Sequence, residues 1–231
     1  DGQVWYNNAG YALIYQSNVG AWASGGNLNT TRGQVGGIGI SAPTSLAFGG
    51  QADATTIISD TEEYNGTAWT EVNNIPTAVN RGGSGGVLTA GWAAGGTSIW
   101  NGSVTPSTMF LYDGTSWSTG GALQTARNSC RGAGTQTTAI LAGGQNTPGG
   151  STTTETYNGS SWASVNGLTT RRYGQAQFGT SAAGLVAGGH TAGSLTANTE
   201  EWDGNSWTET NNLNQARQMP AAGGGTATST S

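Results

Sequence analysis

Short apolar runs punctuate the chain, and each is closed by two glycines. Leu46-Ala47-Phe48 precedes Gly49-Gly50, and Trp92-Ala93-Ala94 precedes Gly95-Gly96. Ile140-Leu141-Ala142 precedes Gly143-Gly144, and Leu185-Val186-Ala187 precedes Gly188-Gly189. Continuous apolar runs of this length predict strands covered on both faces. Helical periodicity is absent. An aromatic signature follows each run. Tyr64-Asn65-Gly66-Thr67-Ala68-Trp69 matches Tyr112-Asp113-Gly114-Thr115-Ser116-Trp117, Tyr157-Asn158-Gly159-Ser160-Ser161-Trp162 and Trp202-Asp203-Gly204-Asn205-Ser206-Trp207. An arginine follows in turn: Arg81, Arg127, Arg172 and Arg217. The period is about 46 residues, which marks an array of like supersecondary units.

Residues 128–172 show what one unit contains. Gly132-Ala133-Gly134 reads as a small-residue strand suited to a crowded position around an axis. Thr138 to Ala142 is a second, apolar strand, and Thr154 to Tyr157 a third. Asn158-Gly159 predicts a two-residue hairpin with positive φ at both central positions. Ser161 to Ser164 is then the outer strand. Four antiparallel strands at this spacing make a propeller blade. The repeated tryptophans Trp69, Trp117, Trp162 and Trp207 are expected between blades, as core aromatics.

The ends of the chain set the blade number. Val4-Trp5-Tyr6 and Ala12-Leu13-Ile14-Tyr15 read as a hairpin, Tyr15 and Trp22 stand for the motif aromatics, and Arg32 for the repeated arginine. This segment supplies three outer strands without an inner one. Ala221-Ala222-Gly223-Gly224-Gly225 resembles an inner strand with nothing after it. Joined, they complete a fifth blade and leave no open sheet edge. The expected fold is therefore an all-β, five-bladed β-propeller in a single domain, 1–231. One blade is split between 1–32 and 218–231, and the others span 33–81, 82–127, 128–172 and 173–217. A six- or seven-bladed ring formed by a longer chain is the alternative.

Composition narrows the function. The chain has 231 residues, 41 of them glycine, with seven arginines, no lysine, twelve acids and a net charge of −5. Nucleic-acid binding needs clustered basic residues, so it is not expected. Membrane insertion is not expected either, since no apolar run approaches 18 residues. Cys130 is the one cysteine, which leaves a buried, inert thiol.

The double glycine, the Tyr-to-Trp motif and the arginine before the next unit resemble the kelch repeat over nearly the whole chain. Asn128–Gly144, Thr154–Arg172 and the opening Asp1-Gly2-Gln3-Val4-Trp5-Tyr6-Asn7 are similar to a kelch-like group of bacteriophage virion and tail-associated proteins, notably marine and cyanobacterial ones. The resemblance implies an extracellular virion appendage. Its partners would be a host-surface glycan or other virion proteins, and a homo-oligomer is compatible with it. A structural spacer or decoration domain and a free-standing lectin are the alternatives.

An enzyme is not expected. Kelch-type copper oxidases need two histidine ligands and a cysteine cross-linked to tyrosine, whereas His190 is the one histidine here. The S-x-D-x-G-x-T-W signature of sialidase propellers is unmet. No cofactor and no metal are expected. Glu62, Glu155 and Glu200 each stand two residues before the motif aromatic, and Phe110 takes that place in the remaining full repeat. Arginine–glutamate bonds bracing adjacent units are the expected role. Ligand contact is expected instead where the sequence departs from the repeat. The loops after the glycine pairs vary most, and Trp100, Asn101 and His190 are the candidates there. An indole beside a carboxamide suits a sugar ring.

Overall fold

Alternating turn and strand signals resolve into eighteen short strands among the described residues. The computed structural model describes residues 3–7, 12–16, 25–98, 105–146 and 149–218. β1 (Gln3–Asn7) and β2 (Ala12–Gln16) form an antiparallel hairpin. Four sheets follow in chain order. The first holds β3 (Gly36–Gly39), β4 (Ser45–Phe48), β5 (Thr61–Tyr64) and β6 (Trp69–Val72). The second holds β7 (Gly83–Val87), β8 (Ala90–Ala94), β9 (Met109–Tyr112) and β10 (Trp117–Thr119). β11 (Arg131–Gly134), β12 (Ala139–Ala142), β13 (Thr154–Tyr157) and β14 (Trp162–Val165) make the third. β15 (Ala176–Gly179), β16 (Gly184–Ala187), β17 (Thr199–Trp202) and β18 (Trp207–Thr210) make the fourth. Each is a four-stranded antiparallel meander, and no α-helix occurs among the described residues.

Consecutive sheets stack in a propeller-like array. Their first strands touch in succession, β3 on β7, β7 on β11 and β11 on β15. Only small residues permit that approach: a Cβ on Gly132 would enter the Trp92 ring. Among the described residues the core forms three apolar layers, one between each pair of neighbouring four-stranded sheets. Leu46, Phe48, Ile75 and Val79 meet Ala93, Phe110 and Tyr112 in the first. Trp92, Met109 and Leu123 meet Leu141, Tyr157 and Trp162 in the second. Ile140, Ala142 and Leu168 meet Val186, Trp202 and Trp207 in the third.

The motif aromatics couple the layers. Each pair faces across the outer hairpin, as with Tyr157 and Trp162 at 5.2 Å. The tryptophan then reaches the preceding sheet. Trp117 meets Phe48 edge-on at 5.1 Å, and Trp162 meets Trp92 at 5.6 Å. Trp207 Nε1 donates to Thr154 Oγ1 at 3.0 Å. Trp162 and Trp207 are buried, while Trp69 and Trp117 are half-buried. Trp22 lies outside the described residues.

The outer hairpin differs from the two-residue turn expected at Asn158-Gly159. Tyr157 pairs with Trp162, so the loop is four residues long, and only Gly159 has positive φ, at 94°. The reason is side-chain capping. Asn158 Oδ1 accepts the N–H groups of Ser160 and Ser161, both at 3.0 Å. Asn65, Asp113 and Asp203 do the same in their own loops. The polar first residue thus replaces backbone partners that a tighter turn would supply.

Backbone hydrogen bonds from Ser116 and Ser206, first among their contacts, hold the Asp113 and Asp203 carboxyls below the ordinary aspartate value. A lowered folded-state pKa contributes stability above the unfolded value, and that stability is lost as pH falls through the folded one. The variant Asp113→Asn/Asp203→Asn should keep both hairpins, as asparagine does at 65 and 158. Its acid-melting curve should lose stability less steeply below the usual aspartate range. An acid limb identical to that of the parent protein would refute the capping role.

Candidate functional site

Three glutamates and three arginines meet in buried pairs where one sheet hands over to the next. Glu62 on β5, Glu155 on β13 and Glu200 on β17 are fully buried. Each carboxylate receives two backbone N–H groups from the segment entering its sheet. For Glu155 these are Gln124 at 2.8 Å and Thr125 at 3.1 Å; for Glu200, Thr169 at 2.7 Å and Thr170 at 3.3 Å. Glu62 receives Asn29 at 2.7 Å and Thr30 at 3.4 Å. An arginine two or three residues further on completes each site. Arg32, Arg127 and Arg172 lie 2.9, 3.2 and 2.6 Å from their carboxylates, with all six side chains buried. Arg172 also donates to the carbonyls of Gly188 and Asn198 at 3.1 and 2.7 Å.

The glycine pairs lock the same place. The second glycine donates to a carbonyl at the junction: Gly50 to Val79, Gly96 to Arg127, Gly144 to Arg172 and Gly189 to Arg217. Both glycines of each pair have positive φ, and a Cβ on Gly95 would stand 2.6 Å from Arg127 O. Glycine alone supplies this conformation and this clearance.

These contacts correct the expected arginine register. Val79, not Arg81, is equivalent to Arg127 and Arg172. Arg81 stands two residues further on, in left-handed backbone at φ 56°, and its Nε donates to Gln34 Oε1 at 2.6 Å. Where the arginine becomes Val79, the glutamate becomes Phe110, and both are buried in one apolar layer. One of the two residues whose N–H would face the carboxylate is Pro76, which has none. The glutamate, the arginine and one of the two N–H donors have been replaced together. A constant ten-residue offset from the motif tryptophan carries this register in the sequence: 22 to 32, 69 to 79, 117 to 127, 162 to 172 and 207 to 217.

The loops after the glycine pairs leave from the same edge of each sheet. Isolated bridges tie their first residues to the junction: Gln51 to Gly33, Thr97 to Asn80, Gln145 to Asn128 and His190 to Tyr173. His190 is half-buried. Its ring lies 5.1 Å from the Tyr173 ring, and its Nδ1 is 2.6 Å from Thr191 O. Trp100 and Asn101 lie outside the described residues, so His190 is the only one of these candidates with a described position. Arg217 is exposed at the far end of the array. Cys130 is buried, and burial pushes its thiol pKa up, against the opposing charges of Arg127 and Arg131.

Comparison with protein-family models gave no match, and none came from the curated proteins. Among the described residues, no group of three His, Cys, Asp or Glu side chains is placed to hold a metal ion. The repeated charges serve the junctions, and the variable loops present hydroxyls, carboxamides and the Tyr173–His190 pair.

The two junction chemistries can be exchanged. Glu155→Ala alone should cost about 3–5 kcal/mol in urea unfolding, because it strands a buried guanidinium. Gln124→Pro, Arg127→Val and Glu155→Phe together should cost much less, since they copy the Val79 junction. A triple variant at least as unstable as Glu155→Ala would show that the two junctions are not interchangeable.

Proposed function

We propose that the chain is a non-enzymatic five-bladed β-propeller, an extracellular appendage of a bacteriophage virion that holds host-surface glycan. The kelch-like repeat and its likeness to phage virion proteins point to the setting. The observation that carries the binding role is the anchoring of the variable loops. The first glycine of each pair donates to the residue that ends its loop: Gly49 to Asp60, Gly95 to Thr108, Gly143 to Thr153 and Gly188 to Asn198. Each loop is thus closed at its base and displayed from a rigid edge. Polar loops of differing sequence on a shared scaffold suit recognition.

The first and last junctions support a count of five blades. Arg32, Asn29 and Thr30 engage Glu62 as their counterparts engage Glu155 and Glu200, which fits a blade before residue 33. Gly189 donates to Arg217 O as the other glycine pairs do at their junctions, which fits a blade after 217. In this reading the two are one blade, built from the β1–β2 hairpin and the 218–231 segment, of which 219–231 lie outside the described residues.

A polysaccharide array probed with folded protein tests attachment, and binding to at least one surface glycan is expected. Trp100→Ala should weaken that binding by about 0.5–1.5 kcal/mol and leave melting unchanged. Trp162→Ala, at a buried junction, should destabilise the fold by about 3–5 kcal/mol. Absence of any glycan binding would favour the structural spacer. Closure has its own test. Removal of residues 218–231 should expose a sheet edge, lower solubility and broaden the melting transition. A monomeric truncated protein with unchanged melting would rule closure out.

A further inference from the structure

On the outer rim, the third and fourth sheets do not meet flush. A groove of about 450 Å³ opens between them, lined by Ser164, Val165, Asn166, Trp202, Gly204 and Asn205. Its volume falls in the range of small-ligand sites. None of the six residues is ionisable. Asn166 Nδ2 donates to Asn205 O at 2.8 Å, which fixes one carboxamide across the gap. The Asn166 Oδ1 and the whole Asn205 carboxamide have no bond within the chain among the described residues. Val165 and Trp202 supply the apolar part of the lining.

The groove departs from the repeat. At the first junction the equivalent positions carry Glu71, Val72, Asn73, Tyr112, Gly114 and Thr115, so a carboxylate stands where Ser164 does. The Asn73 bridge to Thr115 O is kept there, at 2.9 Å. At the second junction Asn166 is replaced by Gly121, packed so closely on Ser160 that a Cβ would strike its carbonyl. Among the three described junctions, the third alone combines two carboxamides with no charge at these positions.

We infer that this rim groove is a binding site for a neutral pyranoside, with Asn166 and Asn205 reading vicinal hydroxyls beside Val165. Carboxamides donate and accept side by side, as paired hydroxyls require. A charge-free lining disfavours uronic and sialic acids, whose carboxylates would lose water without gaining a cation. The inference rests on the glycan-attachment reading but places a site away from the glycine-pair loops.

Nitrogen-15 correlation spectra of the full chain, titrated with neutral methyl hexopyranosides and with methyl glucuronide, provide the test. A neutral hexoside should shift the side-chain amide peaks of Asn166 and Asn205; the glucuronide should not. Asn205→Ala should weaken neutral hexoside binding about tenfold, with melting unchanged. Asn205 uses its backbone, not its side chain, in its hairpin, so the fold should tolerate the change. Shifts confined to the Tyr173–His190 loops would overturn the groove and leave glycan attachment standing. So would unchanged binding by Asn205→Ala. No response to any saccharide would overturn both.

Discussion

One carbonyl at each junction sets the terms for the rest of the structure. The chain leaves one sheet and enters the next through the residue ten positions after the motif tryptophan. Its C=O accepts an N–H from the second glycine of the sheet it is leaving, at 2.8–3.0 Å across the four junctions from Gly50 to Gly189. The glycine pair exists because this carbonyl comes so close. A side chain at Gly95 or Gly188 would collide with it, and the positive φ of both glycines would strain any other residue. The buried backbone is thereby satisfied at the point where an array of separate sheets would otherwise expose it.

The side chain of that residue solves a second problem. Each entering segment carries two N–H groups that face the third strand of the next sheet. Glu62, Glu155 and Glu200 accept them, and an arginine then offsets the buried charge. Such an ion pair is weak evidence for added stability, because desolvation opposes the attraction. The Val79 junction makes the point within the same molecule. Pro76 removes one donor, Phe110 removes the acceptor, and Val79 removes the cation. What these junctions share is that none leaves a buried carboxylate without its cation. A lone buried charge costs more than either complete arrangement.

Much of this was legible in the sequence. The glycine pairs, apolar runs and motif aromatics gave strand order and sheet size, since period and patterning report the packing of each strand directly. The acid-to-phenylalanine change at Phe110 was visible too. Its partner was missed because Arg81, a conspicuous arginine near the right place, drew the register two residues along. The offset from Trp69 points to Val79, whose apolar side chain gives no signal of its own. The Asn158 turn was misjudged for a related reason. Asn-Gly favours a tight turn through backbone preference, but here the asparagine oxygen caps two N–H groups and stabilises a longer loop. The rim groove had no signature at all. It depends on how far two sheets stand apart, and single-residue changes such as Gly121 in place of Asn166 decide that distance.

The division of labour between repeated and unrepeated positions bears on how such a chain can recognise anything. Glu62, Glu155 and Glu200 on the third strands and the arginines opposite them are turned inward, against each other and against backbone. Asp53 stays exposed in the first glycine-pair loop, but the rim groove carries no ionisable group. A surface of that kind exerts little long-range pull on a charged partner. It discriminates by fit and by hydrogen bonds made at contact, and salt at physiological strength screens those hardly at all. A binder working where ionic strength is high gains from a contact surface whose hydrogen bonds need no charge.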